Sequence, residues 1–225
     1  MTARDEVLAR IRTANRSGAP GQAGPPADDP DARYRTRGEL SGQALLDLLA
    51  ARLTDYRAIV HVVTPAALPA EIDAALRRRG ARTVVVPPAL GLPLPDFAAV
   101  IIDSGDSGDS GQLTARDLDG MDAVVTRAAV AIAETGTIVL DGAPDQGRRA
   151  ISLVPDYHLC VVAAEQVVHL VPEGVTRLAN VAGRPLTWIS GPSATSDIEL
   201  ERVEGVHGPR TLEVLLVAGR PRRAR

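Results

Sequence analysis

The feature that most restricts the fold of this chain is a series of short aliphatic segments separated by helical patterns. Segments of this length and composition are typical of strands buried inside a sheet. They lie at residues 58–63, 83–86, 98–102, 122–125, 131–133 and 212–217. Because helical patterns lie between them, the sequence predicts an α/β fold with an open, mainly parallel sheet flanked by helices.

Two of the predicted helices are defined by their apolar faces and their ends. Ser41 is placed to cap the first, whose leucines at 45, 46, 48, 49 and 53 fall on one face. The second covers residues 69–79 and ends at Gly80. The strand at 58–63 is apolar except for His61, which predicts coverage on both faces and a hydrogen-bonded core or interface histidine. In such sheets the functional groups gather in loops beyond the C-terminal strand ends.

The chain is expected to consist of an arm, a linker, one domain and a tail. Residues 1–16 form a helical arm, with an amphipathic helix over 3–15, and residues 17–33 form a linker rich in proline and glycine. The α/β domain covers residues 34–219, and residues 220–225 form a basic, solvated tail.

A triplet repeat of Asp-Ser-Gly occupies residues 103–111. Its aspartates are three residues apart and no glutamate closes the set, which differs from the spacing of a calcium loop. The repeat is therefore interpreted as a solvated, flexible loop, and no metal site is expected.

The composition excludes several kinds of chemistry. The sequence has no lysine, which excludes a Schiff-base lysine and a phosphate loop ending in Gly-Lys-Ser/Thr. Its one cysteine, Cys160, cannot hold an iron–sulfur cluster alone, since such clusters need about four thiolates. No Gly-x-Gly-x-x-Gly follows a strand, so no nucleotide cofactor is expected. A net charge of −3 with 2% aromatic residues gives no reason to expect nucleic acid. Without a signal peptide or an apolar span, the protein is expected in the cytoplasm.

Three polar segments that contain glycine interrupt the apolar strands of the second half. In the first, Glu134 ends a strand and is followed by Thr135, Gly136 and Thr137. This order puts a carboxylate beside exposed backbone N–H groups, and Gly136 permits a turn or the close approach of a ligand. A simple turn between two strands, with Glu134 in an ion pair, fits the same residues.

The second segment covers residues 191–199 and directly follows a strand. The hydroxyls of Ser193 and Thr195 and nearby backbone amides are suited to hold an anion. Asp197 either orients those hydroxyls or caps a helix. An ordinary loop fits equally well.

The third segment covers residues 205–210, before the final strand. His207 can transfer protons near neutral pH, and Arg210 offers a fork of donors for a carboxylate or phosphate. A tight turn is the alternative. His158 is a second candidate histidine at the entrance of a strand, and Arg148 and Arg149 serve either anion binding or surface solvation.

Together the three segments resemble the LUD-domain family, known for lactate-utilisation proteins. The resemblance runs from about residue 40 to 218 and is strongest over residues 122–217. Chain length and the single cysteine favour the C type of the family over the longer B type, which carries ferredoxin-like cysteine motifs. The resemblance implies a sheet similar to the sugar-phosphate isomerase and CoA-transferase class of folds. It also implies a pocket built from the matched positions Glu134, Thr135, Gly136, Ser193, Thr195, Asp197, His207 and Arg210.

The family assigns no roles to these positions, so their roles are interpreted from the chemistry of each side chain. Glu134 and His207 are taken as catalytic, while ligand binding is assigned to Thr135, Gly136, Thr137, Ser193, Thr195, Asp197 and Arg210. The expected ligand is a small carboxylate or phosphate.

The resemblance implies a non-redox component of a bacterial L-lactate utilisation system. In that system L-lactate is oxidised to pyruvate together with the iron–sulfur proteins A and B, which are the expected partners. One alternative is a free-standing acyl-CoA transferase or sugar-phosphate isomerase, because Glu134-Thr-Gly136 is similar to the Glu-x-Gly signature of CoA-transferases. The other is a scaffold module whose N-terminal arm docks onto partner subunits, which is compatible with the first hypothesis.

Overall fold

The protein was analysed as a computed structural model, which describes residues 3–17, 34–105, 112–181, 183–196, 202–204 and 208–219. The chain divides into two compact units, residues 1–35 and residues 36–225. The first unit contains helix α1 (Ala3–Ser17), in which Glu6 and Arg10 form an ion pair of 2.7 Å one turn apart. The helix predicted over 3–15 is confirmed. Residues 18–33 of the predicted linker and the tail at 220–225 lie outside the described residues.

The second unit is built on twelve strands among the described residues. In chain order these are β1 (Ile59–Val63), β2 (Thr83–Val86), β3 (Ala99–Ile102), β4 (Ala123–Arg127), β5 (Val130–Ile132), β6 (Thr137–Leu140), β7 (Tyr157–Ala163), β8 (Val167–Val168), β9 (Thr187–Ile189), β10 (Ala194–Ser196), β11 (Arg202–Glu204) and β12 (Thr211–Val217). Six of them form an all-parallel sheet in the order β1-β12-β7-β4-β2-β3. The predicted α/β fold with a mainly parallel sheet is confirmed.

The inner strands of this sheet match the predicted pattern of continuous burial, and the edge strands do not. Strands β4, β7 and β12 are buried over almost their whole length, as their aliphatic runs indicate. Strand β1 was expected to be covered on both faces, and this was wrong. It lies at one edge of the sheet, where Val62 is 48% exposed. Strand β3 forms the other edge, and its Ile102 is 58% exposed.

Helices cover both faces of the parallel sheet. Those that flank this sheet are α2 (Gly42–Asp55), α3 (Leu68–Arg78), α4 (Ala115–Asp119) and α5 (Arg149–Leu153), whereas α6 (Val171–Leu178) packs against β5 and β8. Helix α2 begins after Ser41 as predicted, but the Ser41 side chain makes no capping hydrogen bond. Leucines of α2 pack with Cys160 and Val162 of β7 on one face, whereas Ile72 and Leu76 of α3 pack with Leu159 on the other.

A second, mixed sheet of order β8-β5-β6-β9 lies on the same face as α2. The segment at 131–133 was counted with the parallel sheet, but it belongs to this second sheet, where β5 pairs antiparallel with β6. Ala131, Ile138 and Leu140 share an apolar cluster with Cys160 and Val162 of the parallel sheet. Strands β10 and β11 form a separate antiparallel pair. Among the described residues, no helix is long and apolar enough to cross a bilayer.

Candidate functional site

A pocket of about 260 Å³ lies between strand β9 of the second sheet and the amino-terminal ends of β7 and β12. Its lining comes from α5, the start of β7, the stretch from β9 into the following loop, and the turn before β12. These lining residues are Ser152, Leu153, His158, Thr187, Trp188, Ile189, Ser190, Gly191, Pro192, Ser193, Gly208, Pro209 and Leu212. His158 and Leu212 are each the second residue of a parallel strand, so the pocket lies at the N-terminal ends of the strands. The functional groups were expected at the opposite, C-terminal ends.

His158 is the most unusual group in this pocket. The residue is only 1% exposed, and its Nε2 lies 2.8 Å from Thr126 Oγ1, in a hydrogen bond whose direction depends on the tautomer. Its Nδ1 has no hydrogen-bond partner among the described residues. Burial lowers the pKa of His158 from 6.5 to about 4, so the ring is neutral at pH 7. An unpaired buried nitrogen of this kind is rare and calls for an explanation.

The first polar segment is a turn that reaches the pocket rim through hydroxyl groups. Residues 133–136 connect β5 to β6, and the Gly136 N–H donates to Ala133 O. Thr135 Oγ1 lies 2.8 Å from Thr137 Oγ1, which lies 2.9 Å from the hydroxyl of Ser190 in the pocket wall. The chain of hydroxyls therefore brings the first and second segments together.

Two glycines in these segments are required by the close approach of helix α2. Gly136 has φ +60, and a Cβ there would lie 2.8 Å from Arg52 Cβ. Gly191 has φ +84, and its Cβ would lie 2.6 Å from Tyr56 Cβ. Each position favours glycine for two reasons: L side chains rarely adopt positive φ, and a Cβ would clash with the neighbouring residue. The neighbour that requires Gly136 is thus the protein's own helix.

The second and third segments meet through one backbone hydrogen bond. The Ser193 N–H donates to Pro209 O at 2.8 Å, and Gly208 lies beside the Ser193 side chain. Since Pro192 has no N–H and the Ser193 N–H is used by Pro209 O, neither residue offers a backbone donor to an anion. Thr195 lies in β10, opposite Val203 of β11.

The remaining predicted site residues are separated from the pocket or lie outside the description. Arg210 forms an ion pair of 3.3 Å with Asp156, and both side chains are largely exposed. Asp197 and His207 lie outside the described residues. Glu134 is half-buried at the turn between β5 and β6.

Two arginines hold loops together at the carboxyl-terminal ends of the parallel strands. Arg127, which ends β4, donates from Nε to Leu90 O at 2.9 Å. Arg148 donates from Nε to Asp103 at 2.7 Å, directly after β3. The interpretation of the triplet repeat as solvated was wrong for Asp103, which is buried by this contact, while residues 106–111 lie outside the described residues. In the described part of the chain, no group of three His, Cys, Asp or Glu side chains is arranged to hold a metal ion.

A second polar cluster lies on the other face of the sheet, beneath α3. Its centre is Glu213, which is 1% exposed. Tyr157 donates to Glu213 Oε2 at 2.9 Å, Arg78 donates to Oε1 at 2.7 Å, and His61 Nε2 lies 3.0 Å from Oε1. Burial, followed by the adjacent carboxylate, raises the pKa of Tyr157. Each of these polar atoms has a partner, so the cluster fastens α3 to β12 and contains no orphaned group like that of His158.

His169 is also occupied by the protein itself. Its Nδ1 accepts from the N–H groups of Glu39 and Leu40 at 3.1 and 3.4 Å. The Glu173 carboxylate accepts from the backbone N–H groups of His169 and Leu170. Like His61, His169 is therefore a hydrogen-bonded structural histidine.

Sequence reasoning missed several residues that shape the pocket, and named His158 only as a secondary candidate. Thr126 was missed because it is in β4, a different strand from its partner His158. Ser152 in α5 also escaped notice, as it sits in no motif. Trp188 carried a usable signal, since it is the only tryptophan of the sequence and stands in a short strand.

Comparison with known proteins adds three findings. A family model described as the LUD domain matches residues 46–217. A protein of Deinococcus radiodurans named Lactate utilization protein C is 47% identical over 214 residues, which cover 93% of this chain and 94% of that protein. Lactate utilization protein C of Bacillus subtilis is 30% identical over 118 residues, covering 50% of this chain and 49% of the relative.

One solved structure is also similar. It is the crystal structure of a DUF162 family protein from Deinococcus radiodurans, with a TM-score of 0.64 and 41% sequence identity. The match covers 80% of this chain and 99% of that chain.

Proposed function

We propose, from the premise that this chain belongs to the LUD-domain family, that it takes part in lactate utilisation as a non-redox, ligand-binding component. The observation that carries the proposal is the 47% identity to a relative named Lactate utilization protein C, since that match spans nearly the whole of both chains. The role comes from the relative, and the pocket beside His158 is the part of the described structure suited to bind a small molecule.

The non-redox part of the proposal is supported by the chemistry of the only cysteine. Cys160 is fully buried, and burial raises the pKa of its thiol to about 12. A thiol of that kind is neither a nucleophile nor a metal ligand at neutral pH. Because the sequence has no other cysteine, the chain cannot hold an iron–sulfur cluster alone, and we propose that electrons from lactate pass through partner proteins. We propose iron–sulfur proteins A and B for that part, with all three acting in the cytoplasm.

Growth on L-lactate tests the role. A strain lacking the gene is expected to fail on L-lactate as the only carbon source and to grow normally on glucose, with growth on lactate restored by the wild-type gene. Normal growth of the deletion strain on L-lactate would overturn the proposal.

Two measurements test the finer statements. The purified protein alone should not reduce a redox dye when L-lactate is added, and affinity purification from lactate-grown cells should recover iron–sulfur partner proteins. Dye reduction by the isolated chain would contradict the non-redox assignment. Removing residues 1–16 tests the arm separately: unchanged recovery of partners would show that the arm is not the docking element.

A further inference from the structure

We infer that the pocket beside His158 binds a small uncharged ligand with an apolar or planar body and one hydrogen-bonding group. The inference deepens the proposed function, because it rests on this pocket being the ligand site of the protein. The ligand class differs from the small carboxylate or phosphate that the sequence suggests.

The first argument is the unused nitrogen of His158. The Thr126 hydroxyl has one proton and lies within reach of two acceptors, His158 Nε2 at 2.8 Å and Cys160 Sγ at 3.9 Å. If that proton goes to Cys160, His158 carries its hydrogen on Nε2 and Nδ1 is an acceptor. If it goes to His158, Nδ1 carries the hydrogen and is a donor. Under either tautomer, Nδ1 of this buried ring, which belongs to the pocket lining, has one hydrogen bond left to make.

The second argument is charge. None of the lining residues that the structure describes is an Asp, Glu, Arg or Lys, and His158 is neutral at pH 7. Arg210, the one arginine in the three segments, forms an ion pair with Asp156. A carboxylate placed against the described walls would lose hydration without gaining a cation from them, which is unfavourable. An amide, carbonyl or hydroxyl would lose much less.

The third argument is the shape and the chemistry of the walls. Leu153, Ile189 and Pro209 contribute apolar surface to the lining. The cavity of about 260 Å³ has the volume of about nine water molecules, which suits a molecule the size of a single substituted ring.

A matched pair of probes tests the ligand class directly. Benzamide and benzoate have the same shape and size, but only benzoate is charged. Benzamide offers both a donor and an acceptor, so it can pair with either tautomer of His158. Trp188 is the only tryptophan and its strand β9 forms part of the pocket wall, so a change in its fluorescence is a label-free signal of binding.

We expect benzamide to change the Trp188 fluorescence saturably, with a Kd of about 1–10 mM for a fragment of this size. Benzoate, at equal ionic strength, should bind about tenfold more weakly or not at all. Equal or tighter binding of benzoate would overturn the assignment of an uncharged ligand, and absence of binding by both probes would overturn the site.

Variants locate the binding. His158→Phe keeps a ring of similar size and should weaken benzamide about three- to tenfold, the loss of one neutral hydrogen bond. The matched control is His61→Gln on the opposite face of the sheet, which should leave the Kd unchanged. Leu153→Phe reduces the cavity while leaving the His158–Thr126 contact intact, and should also weaken binding. Unchanged affinity in both pocket variants would refute the inference.

A measurement on the unmodified protein guards against misfolding of His158→Phe. In 15N-labelled protein, the Nδ1 resonance of His158 should shift with the same saturation curve as the fluorescence, and a stationary resonance would refute the contact. The outcomes also separate the two proposals. Benzamide binding with normal growth of the deletion strain on lactate would retain the site and remove the role, whereas the reverse would retain only the role.

Discussion

The buried, neutral state of His158 predicts a specific loss of stability in acid. In the unfolded chain the ring has an ordinary pKa of 6.5, and in the folded protein burial lowers the pKa to about 4. Between these values the unfolded state binds the extra proton, so this contribution is fully present above about pH 6.5 and is lost as the pH falls towards 4. The variant to compare with the wild type is His158→Phe, which keeps a buried ring but cannot be protonated.

The size of the effect follows from the two pKa values. Each pKa unit corresponds to about 1.4 kcal/mol, so the full difference is worth about 3 kcal/mol of unfolding free energy. Of this, about 2 kcal/mol should be lost between pH 7 and pH 5. No discount for solvent screening applies, because His158 is only 1% exposed. The expected result is a wild-type protein that loses about 2 kcal/mol more than His158→Phe over this range.

Urea denaturation at pH 7, 6 and 5 measures this difference, with far-UV circular dichroism and Trp188 fluorescence as two probes of unfolding. Carboxylates whose pKa values are lowered in the folded state, such as Asp122 and Glu173, also reduce stability in acid. They act equally in wild type and variant and cancel in the comparison. Parallel pH profiles for the two proteins would refute the reasoning, since they would mean that His158 is already protonated or open to solvent when folded.

Three further predictions concern other parts of the fold. Arg78→Met removes the cation 2.7 Å from the buried Glu213 and should reduce the unfolding free energy by about 3 kcal/mol, whereas Arg77→Met, at an exposed position of the same helix, should cost much less. Gly191→Ala combines φ +84 with a contact of 2.6 Å and should cost about 2 kcal/mol or more in thermal unfolding, while Gly183→Ala, with open space around its Cβ, should be nearly neutral. Cys160 should stay unmodified by iodoacetamide at pH 8 in the folded protein and react fully in urea, because burial raises the pKa of its thiol to about 12; rapid labelling of the native state would contradict this.

The elements that local sequence predicts well are those whose signal is a run of one residue type. The aliphatic runs of β2, β4, β7 and β12 became buried parallel strands, since a strand covered on both faces can contain little else. The leucines of α2 and the glycine after α3 likewise defined the two long helices.

The order of the strands in the sheets was harder to predict from the sequence. The run at 58–63 looks like an inner strand, yet β1 is an edge, because strand order is decided by crossover connections and not by the run itself. For the same reason the short run of β5 gave no sign that it belongs to a second sheet, where β6 returns directly beside it.

The part of the candidate site whose residues lie in motifs was predicted from the sequence. The part that depends on contacts between distant residues was missed. Glycine and hydroxyl residues marked the segments that meet at Ser190 and Ser193. The environment of His158 depends on Thr126, 32 residues earlier, and no local pattern links these two positions. Arg210 looked like a ligand donor because its sequence neighbours give no hint of the ion pair with Asp156.

The strand order has a consequence for how the chain must assemble. In the described sheet β1, the first strand to be synthesised, has only one neighbour, β12, which is the last. Until the ribosome has released residues 211–217, β1 lacks the strand it pairs with, and β7 lacks one of its two. Pairing β1 with β12 closes a loop of about 150 residues, which is slow, so this edge of the sheet is expected to form late in folding. Removal of β12 should disrupt the whole sheet and not one strand, because β12 joins β1 to β7.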